Sequence, residues 1–216
     1  VLRPLKAVIE NYPAGQVETI ALPLNPDRPE DGVRAVPFSR EIYVERDDFM
    51  EDPPKKFFRL APGREVRLRG TYFLTCTGVV RNEAGEVVEL RCTYDPATRD
   101  GNAPDGRKPK ATIHWVSAAN AATAEVRLYD RLFTNPTPGD EADGGNWRTS
   151  LNAASLEVLT CPVEPALTAA KPGDRFQFER IGYFCVDSAS APGRPVFNRT
   201  VTLKDTWARV SQRTAR

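Results

Sequence analysis

Phe176-Gln177-Phe178-Glu179-Arg180-Ile181-Gly182-Tyr183-Phe184, Phe197-Asn198-Arg199-Thr200 and Lys204-Asp205-Thr206-Trp207 set amide, guanidinium and ammonium groups among aromatic rings. On a strand, alternate residues face opposite sides, so the rings can pack inward while the polar groups project as an array. Splayed RNA bases take such an array: flat groups to stack on, with amides and guanidiniums to read their edges. An ordinary half-buried strand carries the same alternation, and the pattern alone leaves both readings open. Arg offers a planar fork for a guanine edge or a phosphate, and Gln offers a donor and an acceptor, which suits uracil.

Bond-making chemistry finds no comparable foothold. The single histidine, His114, lies in Thr112-Ile113-His114-Trp115-Val116 and reads as a structural histidine on a strand. Glu10, Asp47, Asp48 and Asp95 lack a second His, a nucleophile elbow or a metal cluster beside them and read as surface charge. No Walker-type phosphate loop is present, and no catalytic residue is assigned. Cysteines at 76, 92, 161 and 185 show no Cys-x-x-Cys spacing, which argues against a metal site and a disulfide scaffold. Each sits in or beside an apolar stretch, so buried free thiols in a reducing cytoplasm are expected.

The 216 residues carry 30 Lys+Arg against 29 Asp+Glu, a net charge of +1, so there is no global basic signal. The distribution is uneven. Residues 55 to 69 hold six basic side chains (Lys55, Lys56, Arg59, Arg64, Arg67, Arg69) against Glu65 alone, and 175 to 216 hold eight against three, each a local +5. Two basic patches on a neutral chain suit a protein that grips a polyanion on one face. No apolar run reaches membrane-spanning length and no signal peptide is evident, so a soluble, cytoplasmic protein is expected. A start at Val1 without Met suggests a piece of something longer.

Nineteen Pro and 14 Gly punctuate short runs rich in Val, Ile, Leu, Tyr, Phe and Thr, which is a β pattern. Strands are expected at 66–72, 87–94, 112–117, 126–133, 176–185 and 196–203, a hairpin turn at Asn82-Glu83-Ala84-Gly85, and a short helix or strand at 151–159. Pro62-Gly63-Arg64-Glu65-Val66-Arg67-Leu68-Arg69 leading to Tyr72-Phe73 echoes Pro172-Gly173-Asp174-Arg175-Phe176-Gln177-Phe178-Glu179 leading to Tyr183-Phe184, with one extra residue on the way. Glu41-Ile42-Tyr43-Val44 likewise echoes Glu125-Val126-Arg127-Leu128. A long period of this kind suits two copies of a small β domain rather than a solenoid. The expected architecture is all-β, two antiparallel β-barrels related by duplication, over residues 1–118 and 119–216, each removing its sheet edges by closure. The acidic, Gly-rich 135–146 stretch reads as a loop.

The Phe176–Phe184 segment closely resembles the C-terminal anticodon-binding region of glutaminyl-tRNA synthetases. So do Val8-Ile9-Glu10-Asn11-Tyr12-Pro13, Val36-Pro37-Phe38-Ser39, Ile113-His114-Trp115-Val116-Ser117-Ala118 and Arg127-Leu128-Tyr129-Asp130-Arg131-Leu132-Phe133. These matches run in the family's order over almost the whole chain. The resemblance implies two ribosomal L25-like barrels that exchange their N-terminal strands, so that residues 1–20 pair in the other barrel. It implies that Arg59 contacts the third anticodon base, that Arg67 and Arg69 hold the first base and nearby backbone, and that Gln177 and Arg180 read the central uracil. Lys204 and Thr206 fall at a further contact stretch.

Two departures stand out: Lys56-Phe57-Phe58 replaces the family's Gln/Lys-rich surroundings of Arg59, and Asp27 falls where the family can carry an amide. The partners implied are glutamine tRNA with a CUG or UUG anticodon and an N-terminal catalytic domain of the same enzyme, in a monomer. ATP and Mg²⁺ would serve that catalytic domain, with no cofactor in this chain, since the signature motifs of class I synthetases are missing from it. The rival readings are an archaeal/eukaryotic-type glutamyl-tRNA synthetase, an L25-like ribosomal-RNA-binding protein, and a protein-interaction β module. Phe-Gln-Phe-Glu-Arg and Val-Phe-Asn-Arg-Thr favour the glutamine enzyme.

Overall fold

Residues 1–140 and 144–203 are described by the computed structural model. They form strands joined by loops and short 3-10 turns, without an α-helix among the described residues. The strands are β1 Pro4–Ile9, β2 Val17–Pro23, β3 Val33–Ser39, β4 Glu41–Glu45, β5 Glu65–Leu68, β6 Phe73–Arg81, β7 Val87–Asp95, β8 Thr112–Ile113, β9 Trp115–Ser117, β10 Ala122–Tyr129, β11 Leu156–Val163, β12 Arg175–Phe178, β13 Gly182–Val186 and β14 Val196–Thr202. Two compact units emerge. One is Val1–Thr123 with Cys161–Ala169; the other is Ala124–Thr160 with 170–203.

The first unit holds a seven-stranded sheet in the order β8-β5-β6-β7-β1-β4-β9. Its two ends meet in one stretch of chain. Thr112–Ile113 pair in parallel with Arg67–Leu68, and Trp115–Ser117 pair antiparallel with Ile42–Val44, so the sheet is closed by a single strand that changes partner at His114. Inward positions alternate along each strand, and Val66, Leu68, Leu74, Leu90, Ile42 and Val44 are fully buried. Cys76 and Cys92 face each other in register inside this core. All four cysteines are free; three are buried and Cys185 is half-buried.

A two-stranded ribbon of β2 and β3 packs an aromatic cluster onto the barrel: Tyr12 lies 5.2 Å from Phe38, Phe38 5.0 Å from Trp115, and Tyr72 4.8 Å from Tyr94. Glu18 accepts from Tyr12 Oη at 3.0 Å and from Tyr72 Oη at 2.8 Å. Burial, followed by the bond to Glu18, pushes the Tyr72 phenol up to about 12. The 161–169 segment is tied in by Pro162 O, which accepts from the Val1 amine at 3.1 Å, and by a bidentate Arg34–Glu164 pair at 2.6 and 3.1 Å.

The second unit's sheet has the order β11-β10-β14-β13-β12. Replacing β4, β1, β7, β6 and β5 in turn reproduces it from the first, so the duplication is present in the strand order itself. Local hydrogen bonds repeat at an offset of 110 residues: Gly63 N to Cys76 O at 2.8 Å matches Gly173 N to Val186 O at 3.0 Å, and Arg64 N to Ala61 O at 2.9 Å matches Asp174 N to Lys171 O at 3.0 Å. Both Pro-Gly turns place glycine at positive φ, 72° for Gly63 and 92° for Gly173, a region that favours glycine because it has no Cβ.

Several expectations are corrected. The sheets are mainly antiparallel but contain parallel pairs, β1 with β7, β5 with β8 and β10 with β14. The N-terminal strand is not exchanged: β1 lies between β4 and β7 of the first unit's own sheet, where Leu5, Ala7, Val8 and Ile9 are buried. The 176–185 stretch is two strands, not one, because the chain turns at 179–181. No extra residue separates the repeated segments, since Arg67 pairs with Phe73 as Gln177 pairs with Tyr183. The echo of Glu41–Val44 in Glu125–Leu128 joins strands that are not equivalent, because β10 matches β1 and β4 matches β11. Residues 156–163 are a strand.

Candidate RNA-binding surfaces

Arg59 lies in the loop that links β4 to β5, where Leu60 N donates to Asp48 O at 2.9 Å and so brings Arg59 beside Asp48. Its Nη1 stands 3.6 Å from Asp48 Oδ1 and donates to Asp47 O at 3.2 Å. The Asp48 side chain is only 1% exposed and that of Arg59 15%. Asp48 is therefore a buried counter-ion, not surface charge, and it holds the guanidinium at the surface in one place. A buried carboxylate needs such a partner because water cannot solvate it.

Phe58, one residue earlier, is 48% exposed, and the Lys110 ammonium lies 5.0 Å from its ring centroid. Lys110 leads into the strand that closes the barrel, where Ala111 O accepts from Arg67 N and Ile113 O from Arg69 N, both at 2.9 Å. The closing strand thus carries a cation from the Phe58–Arg59 loop to the edge that bears Arg67 and Arg69. A cation over a ring face is held by the ring quadrupole. Lys110 was not singled out from the sequence, since nothing local connects it to Phe58.

Arg67 projects from the outer face of β5, its guanidinium carbon 5.4 Å from the centroid of its cross-strand neighbour Phe73. Arg107 stands at the same 5.4 Å from that ring. It is fixed by Glu65 at 3.0 Å, by Asp105 at 2.7 Å and by Asp95, and its hydrogen bond holds the Asp95 carboxyl below the usual carboxylate range. Glu65, the one acid of the first basic patch, is thereby occupied. Arg69 is exposed at the end of β5, where its carbonyl oxygen accepts from Trp115 Nε1 at 3.1 Å.

In the second unit the aromatic residues mostly pack inward, as the alternation implies. Phe178 stacks on Phe184 at 4.2 Å and tilts against Phe197 at 5.4 Å. Gln177 projects from the opposite face and is exposed. It occupies the position in β12 that Arg67 occupies in β5, each paired across the hairpin with an aromatic residue. Arg180 is half-buried in the β12–β13 turn at a φ of 61°, where Ile181 N donates to Phe178 O at 2.9 Å. Gly182 then packs so tightly that a Cβ would strike the carbonyl oxygen of Val201. Asn198 is spent on structure, donating to Asp187 and accepting from Tyr129 Oη at 3.2 Å. Lys204 and Thr206 lie outside the described residues.

The structure places Arg67 on β5 and Arg69 in the turn directly after it, and links both through the closing strand to the loop of Arg59. Gln177 and Arg180 share a hairpin in the second unit. Flat exposed rings, fixed cations and an exposed amide are the groups that contact single-stranded RNA.

Residues 1–95 match the model of the tRNA synthetases class I (E and Q) anti-codon binding domain, and residues 112–187 match a second model of the same description. The chain is 62% identical over 211 residues to a glutamine–tRNA ligase of Nitrobacter hamburgensis, covering 98% of the chain and 37% of the relative. It is 58% identical to one of Bradyrhizobium diazoefficiens, with 97% and 37% covered, and 57% identical to one of Pseudomonas putida, with 96% and 36% covered. The chain spans a little over a third of the length of the curated relatives it matches. On these matches and this duplicated β architecture, the chain belongs to the anticodon-binding domains of the class I (E and Q) tRNA synthetases.

Proposed function

We propose that this chain is the anticodon-binding part of a glutamine–tRNA ligase, selecting glutamine tRNA by its CUG or UUG anticodon. A catalytic domain of the same enzyme, using ATP and Mg²⁺, would then attach glutamine. The observation that carries the reading is the match, over nearly the whole chain, to proteins named glutamine–tRNA ligase. The equivalence of Arg67 and Gln177 supports it, since each copy presents one base-reading side chain from the same strand position.

In this reading Arg59 reads the third base, Arg67 and Arg69 hold the first base and its backbone, and Gln177 and Arg180 read the central uracil. Lys204 and Thr206 add contacts. A site built to hydrogen-bond a base rejects others by leaving its own polar groups unpaired. The enzyme works as a cytoplasmic monomer, and no helix among the described residues is long and apolar enough to cross a membrane.

The test is binding of this chain to anticodon stem-loop RNAs that differ at one anticodon position. Preference for CUG over CCG and CUC, weakening as salt rises, is expected. Equal affinity for all three would overturn the reading. The chain alone is expected to form no glutaminyl-tRNA.

A further inference from the structure

The aromatic residue beside the reader is covered in one copy and bare in the other. Phe73 is the cross-strand partner of Arg67, and Tyr183 that of Gln177. Phe73 is 1% exposed, with the guanidiniums of Arg67 and Arg107 each 5.4 Å from its centroid. Arg107 reaches it from the excursion between β7 and β8, anchored by three carboxylates.

Tyr183 has no such cover. It is 45% exposed, and no ring or cation lies over it among the described residues. Its backbone is nevertheless well fixed: the carbonyl oxygen accepts from Thr200 Oγ1 at 3.1 Å, and the β13–β14 register shifts between Tyr183 and Phe184. The extra residue of that bulge is Thr200 on β14, the residue whose hydroxyl holds the Tyr183 carbonyl. Next to Tyr183, on the same outward face, stands the exposed Gln177 amide.

We propose that Tyr183 is the stacking platform for the single-stranded pyrimidine base whose edge Gln177 reads. Directly opposed side chains have Cβ atoms about 5 Å apart. A base resting about 3.5 Å above the Tyr183 ring therefore turns its edge towards the neighbouring amide. In the first copy the reader is itself the cation over the ring. In the second, an amide has taken the reader's place and the ring is left for the base. The inference rests on the anticodon reading above.

The experiment uses this chain and two anticodon stem-loop RNAs, one with uridine and one with an abasic residue at the central position. Tyr183→Leu should raise Kd for the uridine RNA by about fivefold or more, the lower end of base–aromatic stacking. It should leave Kd for the abasic RNA unchanged, and Tyr183→Phe should bind both as the unsubstituted chain does. Tyr183→Thr, with a strand-favouring side chain, repeats the test should the Leu variant melt early. Unchanged affinity for the uridine RNA, or equal loss on both RNAs, overturns the proposal and leaves the anticodon reading standing. Failure of the unsubstituted chain to bind either RNA overturns both.

Discussion

Arg180 occupies in the second copy the turn position that Gly70 occupies in the first. Their φ angles are 61° and 69°, and the turns close alike, with Thr71 N donating to Leu68 O at 3.0 Å and Ile181 N to Phe178 O at 2.9 Å. Glycine adopts this region freely, whereas a residue with a Cβ pays roughly 1–2 kcal/mol to enter it. A long basic side chain held there against its own backbone preference supports the proposal that Arg180 contacts the RNA. Arg180→Gly is expected to stabilise the chain by about 1 kcal/mol while weakening its binding to a CUG stem-loop. Urea denaturation beside RNA titration checks both, and a variant less stable than the parent would refute the strain argument.

Arg59, proposed above to read the third base, is also half of a buried ion pair, so its removal should have two effects. Arg59→Ala leaves Asp48 buried without its guanidinium and should lower stability as well as third-base preference. Loss of the paired contact to a base should cost about 1–3 kcal/mol of discrimination. Arg59→Lys keeps the charge near Asp48 but loses the planar fork. It should therefore melt closer to the parent and still fail to prefer guanine. Full retention of that preference in the Lys variant would reduce Arg59 to a phosphate clamp.

Gln177 is exposed on the outer face of β12, and its removal should leave the fold untouched. Gln177→Ala is expected to melt as the parent does and to lose roughly tenfold in preference for uracil over cytosine at the central position, about the value of one hydrogen bond with its unpaired partner. Competition binding of CUG and CCG stem-loops measures the ratio. An unchanged ratio removes Gln177 from the site.

Tyr72 gives the first unit a response to alkali. Its phenol titrates near 10 in an unfolded chain and is pushed up to about 12 in the folded one, by burial and by the bond to Glu18. The folded state keeps a proton that the unfolded state has lost between those values. The stabilisation is thus complete below pH 10 and declines as pH rises through 10 to about 12. Tyr72→Phe should cost about 1 kcal/mol at neutral pH. The gap between variant and parent should narrow from pH 9 to pH 11 in urea melts, and a gap that widens would show the sign to be wrong.

Local signals in the sequence found local structure. The Val-, Thr- and Tyr-rich runs at 87–94, 112–117 and 196–203 are strands, and Gly85 N does close the 82–85 turn on Asn82 O at 2.9 Å. The β12–β13 turn escaped because it carries Arg180 where turn chemistry leads one to expect Gly or Asn. Parallel partners such as Lys6 and Glu89 escaped because neither strand encodes which distant neighbour it will meet. The same holds for the site. Arg67, Arg69 and Gln177 stand out in the sequence as proposed readers through their wording, whereas Asp48, Arg107 and Lys110 take their places only through partners that folding delivers from elsewhere in the chain.

The strand that changes partner at His114 also bears on the order in which the barrel can be built during synthesis. Of the strands of this barrel β1 emerges before the others, yet its parallel neighbour β7 follows some eighty residues later, and the seam between β4 and β5 closes only when 112–117 has emerged. Until then both lips of the nascent sheet present unpaired N–H and C=O groups, a template for pairing with any other extended chain. Hydrogen exchange on stalled chains should accordingly show the amides of Arg67 and Arg69, which donate to Ala111 and Ile113, remaining open in a chain stopped before residue 110 and becoming protected only once Ser117 is free.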